Sequence, residues 1–307
     1  MPRSLSVEPP PELLLTEAHA LNIAFTCFYV LPLILTKWTN PSLFRPDVLA
    51  TGWRNDPAVI KARLLSVSIA TVLSCCVMHT ILNSGLPDGL TVYCPDYAQT
   101  QLRSTTLHLG LFMRTRDVLA SLVTPVLYIG PLYAAYLAGD LPFQSNRSLG
   151  GQAYAQIEDW VGIRNHVVGP ITEELVWRSC IIAGYRLAGA SRNQIIFCTP
   201  LSFGAAHLHH GYESYIKLGR TRKALQAACL NTLFQFTYTT LFGFHCAFLF
   251  YRTGSVVPPL IAHVFCNIMG VPQLPYELRQ FPRKAQQIKF FYVVGILGYA
   301  AAMRWWT

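Results

Sequence analysis

Residues 64–86 read LLSVSIATVLSCCVMHTILNSGL, a stretch without a single Asp, Glu, Lys or Arg. About 20 mostly apolar residues in a helix are enough to cross the hydrocarbon core of a bilayer. Uncharged runs of the same kind lie at 18–35, 118–138, 194–209, 225–250 and 256–271. Two more, 170–185 and 288–303, are apolar except for a few charges. The set predicts an all-α, polytopic membrane helix bundle of about eight transmembrane helices. Prolines punctuate it: Gly169-Pro170 is read as opening the fourth span, Pro258-Pro259 as starting the seventh, and Pro272 and Pro275 as closing it. Residues 139–165 carry both charge signs and are read as holding an interfacial segment. No internal repeat and no linker divides the chain, so 1–307 is expected to form one membrane domain, with a motif-bearing core at about 165–272.

Composition agrees. Charged residues make up 13% and hydrophobic ones 52%, about half the charged share of a soluble domain, and the mean hydropathy is +0.33. The net charge of +9 would suggest nucleic acid in a soluble protein. Here the basic residues sit in short loops and no aromatic-basic platform accompanies them, so membrane lipids are the expected partner and nucleic acid is not. Eight of the nine cysteines lie in apolar runs and none forms a CxxC pair, which argues against a disulfide scaffold or a cysteine zinc site. The first 17 residues are proline-rich and acidic, unlike a cleavable signal, so the first run is expected to remain as a span. The final Arg304-Trp305-Trp306-Thr307 is not a lipidation box.

If eight spans alternate, one side collects Lys37, Arg45, Arg54, Lys61, Arg63, Arg147, Arg164 and the clusters at 217–223 and 279–289. That richer side is expected to be cytosolic, with both termini on the other. The sequon Asn146-Arg147-Ser148 then lies in the cytosol and should carry no glycan.

Ionisable groups inside spans are costly and point to function. Three places stand out. In Glu173-Glu174-Leu175-Val176-Trp177-Arg178, Glu174 and Arg178 are one helical turn apart, in the order that favours a pair. Glu173 is rotated away from that partner, as suits a base for water; a charged patch in a loop would read the same way. In Phe203-Gly204-Ala205-Ala206-His207 the ring and imidazole share a face, and the small residues permit close approach of another helix. In His263-Val264-Phe265-Cys266-Asn267 two hydrogen-bonding side chains project alike from an apolar helix, as an oxyanion hole or as interhelical polar glue. All three places fall toward the basic side, so Glu173, His207, His263 and Asn267 can converge on one cavity.

Taken together, EExxxR, FxxxH and HxxxN in this order resemble the CAAX-type intramembrane endopeptidase family, also called the ABI family, and its eukaryotic type II CAAX prenyl endopeptidase branch. The resemblance covers residues 173–267. It implies a peptide hydrolase of the endoplasmic reticulum, its site facing the cytosol, that removes the last three residues from farnesylated or geranylgeranylated CAAX proteins such as small GTPases. It further implies that Glu173 and His207 activate a water, that His263 and Asn267 stabilise the oxyanion, and that Glu174, Arg178 and Phe203 support them. No cofactor is expected, although zinc is not excluded. Glu173, His207 and His263 are possible ligands of a zinc protease, but no HExxH pair is present. A serine protease lacks a GxSxG setting in a span. A transporter would place polar groups at several depths, and a lipid-binding scaffold would need neither a base nor an oxyanion hole.

Overall fold

The computed structural model describes residues 13–39, 53–84, 95–142, 144 and 156–306. Asn146 and the basic residues Lys37, Arg45 and Arg147 fall outside the described backbone or side chains. No strand occurs among the described residues, and the protein is an all-α membrane helix bundle. Helix α1 spans Leu15–Thr39 and α2 Pro57–Asn83, the latter capped by the Asp56 carboxylate on the Ala58 and Val59 N–H groups. Helix α3 is Pro95–His108. The run at 118–138 is split into α4 (Thr115–Ser121), α5 (Val123–Leu127) and α6 (Ile129–Ala138). It bends by 67° between α5 and α6, where Pro125 and Pro131 remove backbone donors.

Next comes a continuous helix over 160–187: α7 (Trp160–Ile163), a π-turn (Arg164–Val168), α8 (Gly169–Glu174), a second π-turn (Leu175–Ile181) and α9 (Ile182–Leu187). The expected fifth span is in pieces, α10 (Arg192–Phe197) and α11 (Thr199–Ala206), with α12 (His209–Lys217) beyond. Then follow α13 (Arg222–Thr253), α14 (Val257–Met269), α15 (Leu274–Gln280) and α16 (Ala285–Trp306). Among the described residues three helices are by themselves long and apolar enough to cross a membrane, namely Leu15–Leu35, Pro57–Asn83 and Arg222–Thr253. Two bent pairs reach that length together, the second being α14 with α15 at 45°. The run at 194–209 is broken beside Pro200, whereas α16 is unbroken at 22 residues and the expected span at 170–185 lies within the continuous helix over 160–187.

The helix over 160–187 is the axis of the fold. Its stretch 176–185 is buried on every face, as befits a helix surrounded by others. Trp177, Ile181, Ile182 and Tyr185 pack with Phe25 and Tyr29 of α1, Met78 of α2, Phe203 of α11 and Phe250 of α13. Cys180 lies 3.7 Å from Cys75 of α2, as two thiols.

One sequence expectation is corrected here. Gly169-Pro170 does not open this helix; the start is at Trp160, where the Asp159 carboxylate accepts the Gly162 N–H at 2.6 Å. Pro170 sits inside, and the helix absorbs it by slipping into π register, with the Gly169 N–H reaching back to the Arg164 carbonyl. A Cβ on Gly169 would stand 2.5 Å from that oxygen, so only glycine fits.

The small residues after Phe203 do what their size suggests. A Cβ on Gly204 would collide with the Thr240 hydroxyl and press on Phe236, both from α13. Gly204→Val should therefore separate α11 from α13 and lower stability by about 1–3 kcal/mol. Thermal unfolding in detergent reads this directly, and an unchanged midpoint would mean that the two helices are not held this closely.

Candidate active site

Glu173 and Glu174 end α8, at the junction with the second π-turn, and face different surroundings. The Glu174 carboxylate is fully buried; its Oε2 lies 3.1 Å from Nε of Arg178, which is also buried. The expected i, i+4 pair therefore forms, even across a π-turn. The other guanidinium nitrogens find no acceptor among the described residues. Instead the guanidinium lies 4.4 Å from the centre of the Phe203 ring, whose electron-rich face favours a cation. Phe203 in turn meets Trp177 and His207 edge to face at 5.2 and 5.0 Å. It thus supports both the arginine and the histidine of its own motif.

The second oxygen of Glu174 holds His263 of α14, with Nδ1 at 2.7 Å from Oε1. A carboxylate paired with Arg178 accepts, so His263 donates from Nδ1. Its other nitrogen, Nε2, points at Glu173, 3.7 Å from Oε2. The neutral ring would carry a lone pair at Nε2; the doubly protonated ring carries an N–H there. Arg178, Glu174, His263 and Glu173 thus form a line that runs from the core to the cavity, where the Glu173 side chain is 22% exposed.

His207 caps the C-terminus of α11, and its Nδ1 lies 2.8 Å from the Phe203 carbonyl. A carbonyl only accepts, so Nδ1 carries a proton, and in the neutral ring Nε2 keeps a free lone pair. Asn267, one turn beyond His263, donates from Nδ2 to the Asn165 carbonyl at 2.7 Å. That carbonyl is available because of Pro170. In π register its donor would be the N–H of residue 170, which proline lacks. The side-chain amide has a second N–H for a ligand.

Glu173, His207, His263 and Asn267 all line two adjoining cavities. The larger, about 600 Å³, is mostly apolar, with Leu127, Leu241, Phe242 and Val271 in its wall and the tyrosines Tyr128, Tyr238 and Tyr299 around it. The smaller, about 190 Å³, is lined by Arg54, Arg63, Arg164, His209 and His210. Sequence reading missed this basic wall as part of the site. Its arginines come from segments far apart in the chain, and in the sequence alone they read as loop charges that orient spans.

Glu213 of α12 lies 3.4 Å from both Arg54 and Arg63. Arg164 donates to the Arg54 carbonyl at 2.9 Å and to Oδ1 of Asn165 at 2.9 Å. Burial, and then the charges of Arg54 and Arg63, push its guanidinium below the ordinary arginine value. Burial pushes the His210 imidazole down to about 3. At neutral pH His210 is therefore uncharged, and its 3.6 Å approach to Glu213 is a polar contact rather than an ion pair.

Among the described residues, the set whose ligand atoms lie within 4.8 Å of one another is His209, His210 and Glu213. Glu173, His207 and His263 are not gathered so closely, and Nδ1 of His263 is already held by Glu174. In the gathered set, Glu213 is shared by two guanidinium groups, which a divalent cation would have to displace.

Residues 157–269, which contain all three motifs, match the family described as type II CAAX prenyl endopeptidase Rce1-like. The probable CAAX prenyl protease 2 of Schizosaccharomyces pombe is 31% identical over 280 residues, covering 91% of this chain and 89% of that protein. The chain belongs to the CAAX prenyl protease 2 family. The human CAAX prenyl protease 2 is 35% identical over 236 residues, 75% of this chain and 67% of that one. Its counterpart in Arabidopsis thaliana reaches 48% over 111 residues, 36% of this chain and 35% of that one. No solved structure matches. A member of this family is a membrane-embedded peptide hydrolase, and the sequence reading of fold, family and enzyme class agrees with that.

Proposed function

We propose that this single-domain, multi-pass protease removes the C-terminal tripeptide from farnesylated or geranylgeranylated CAAX proteins, small GTPases of the Ras type among them. It would act at the endoplasmic reticulum membrane, with the basic face toward the cytosol. The observation that carries this reading is the meeting of two unlike cavities at Glu173, His207, His263 and Asn267. The apolar one suits an isoprenoid chain entering from the bilayer. The basic one suits a peptide tail arriving from water.

In this reading the prenylcysteine carbonyl sits between the four side chains. Glu173 takes a proton from a water that the lone pair of His207 helps to hold, and the hydroxide attacks the carbonyl carbon. His263 and the second N–H of Asn267 receive the developing oxyanion. For this, His263 must be doubly protonated. Glu174 accepts from Nδ1 at 2.7 Å and Glu173 stands 3.7 Å from Nε2. The C–N bond breaks, the proton held by Glu173 passes to the leaving amine, and prenylcysteine carboxylate and tripeptide separate. Glu174, Arg178 and Phe203 keep His263 and His207 in place.

The test is release of the tripeptide from a farnesylated CAAX peptide by the purified protein in detergent, with and without a strong zinc chelator. Release that survives the chelator supports the reading. Absence of release overturns the function, and loss to chelator with recovery on adding zinc overturns the metal-free mechanism.

A further inference from the structure

The smaller cavity holds more positive charge than its fold requires. Glu213 already serves Arg54 and Arg63. Arg164, from the first π-turn, hydrogen-bonds only to neutral acceptors, the Arg54 carbonyl, Oδ1 of Asn55 at 3.3 Å and Oδ1 of Asn165; Asp159 acts on it through charge alone, and Glu173 is the carboxylate in the cavity wall. Those bonds use Nε and Nη1, and Nη2 has no acceptor among the described residues. Crowding a third guanidinium beside two others in a half-buried pocket is unfavourable in the empty protein. An anion placed there would relieve it, and guanidinium groups match carboxylates in geometry as well as charge.

The position fits one particular carboxylate. Asn165 joins the two ends of the cavity, since its backbone carbonyl receives Asn267 and its side chain receives Arg164. A tripeptide released from its N-terminal side extends about 10 Å from the scissile bond and ends in a free α-carboxylate. Resting on the proposed function, we infer that Arg164, with Arg54 beside it, binds the C-terminal carboxylate of the substrate and so fixes the released fragment at three residues. In this role the two arginines determine specificity and bind substrate; they do not take part in the chemistry. Capture of a chain terminus by fixed donors is a known recognition mode. Here it means that the enzyme reads the end of the chain rather than an internal sequence.

The experiment compares two farnesylated peptides of one sequence, one ending in a free acid and the other in an amide, with wild type, Arg164→Gln and Arg54→Gln. Wild type should favour the acid by about tenfold or more in kcat/KM, as expected for a hydrogen bond to a charged group, with most of the difference in KM. In Arg164→Gln that preference should fall toward one, and in Arg54→Gln it should fall partway. Wild type cleaving both peptides equally well, or an acid preference that persists in both variants, overturns the inference and leaves the proposed function standing. Wild type cleaving neither peptide takes down the proposed function and the inference that rests on it. The wild-type comparison needs no mutant, so it decides the matter even if a variant fails to fold.

Discussion

Glu173→Gln is expected to lower turnover of a farnesylated CAAX peptide by about 10²–10⁴-fold while the protein stays folded, the range for loss of a positioned general base. Gln keeps the size and much of the hydrogen bonding of Glu173 but cannot take a proton from water. The side chain belongs to no ion pair that the core depends on: it is partly exposed, lines both cavities and stands 3.7 Å from His263. Glu174, its neighbour, is fully buried, so loss of Glu173 should show in rate alone and loss of Glu174 in stability as well. One competing arrangement deserves the same experiment. Glu174 holds Nδ1 of His263 at 2.7 Å, as a carboxylate orients the imidazole in a hydrolase triad. A neutral His263 would then present its own lone pair to the water. In that case Glu173→Gln would leave single-turnover tripeptide release within a fewfold of wild type, and His263→Ala alone would abolish it. Thermal unfolding of each variant keeps a misfolded protein from being read as an inactive one.

How much of this was legible in the sequence depends on how local each feature is. Uncharged runs of about 20 residues declare a membrane bundle with no tertiary knowledge. The Glu174–Arg178 pair is a local i, i+4 relation, and the approach of α13 to Gly204 follows from the missing side chain. Convergence of Glu173, His207, His263 and Asn267 was inferred from their common depth. The details that depend on two distant segments were not legible. Nothing in the HxxxN spacing says that Glu174 will hold His263, or that Asn267 will donate to the backbone of residue 165. Nor does charge counting gather Arg54, Arg63 and Arg164 around one cavity, because the same residues satisfy the ordinary rule for loops. One clue in the sequence carries two readings: proline at 170 reads first as a helix start. It could equally have been read as an internal proline that frees a carbonyl upstream, and that carbonyl is the one Asn267 uses.

The second large effect is on stability. Glu174→Ala should destabilise the protein by about 3–5 kcal/mol, because it leaves the buried Arg178 charge without its partner and strips His263 of its Nδ1 acceptor. The π face of Phe203, 4.4 Å away, offsets only part of that loss, about 0.5–2 kcal/mol for a cation over a ring. The pair is therefore a poor source of net stability: Glu174→Leu combined with Arg178→Met removes both charges at similar volume and should recover most of what Glu174→Ala loses. Activity should behave otherwise. The double variant has no carboxylate to orient His263, so its ring can turn away from Glu173 and the carbonyl site, and tripeptide release should stay near background although the fold is restored. Denaturant unfolding in mixed micelles, run as a double-mutant cycle beside the cleavage assay, separates the two outcomes. A double variant as unstable as the single ones would show that the pair is needed for packing in its own right. A stable and active double variant would show that Glu174 does not position His263, and would return the orientation of that ring to the packing of α14 alone.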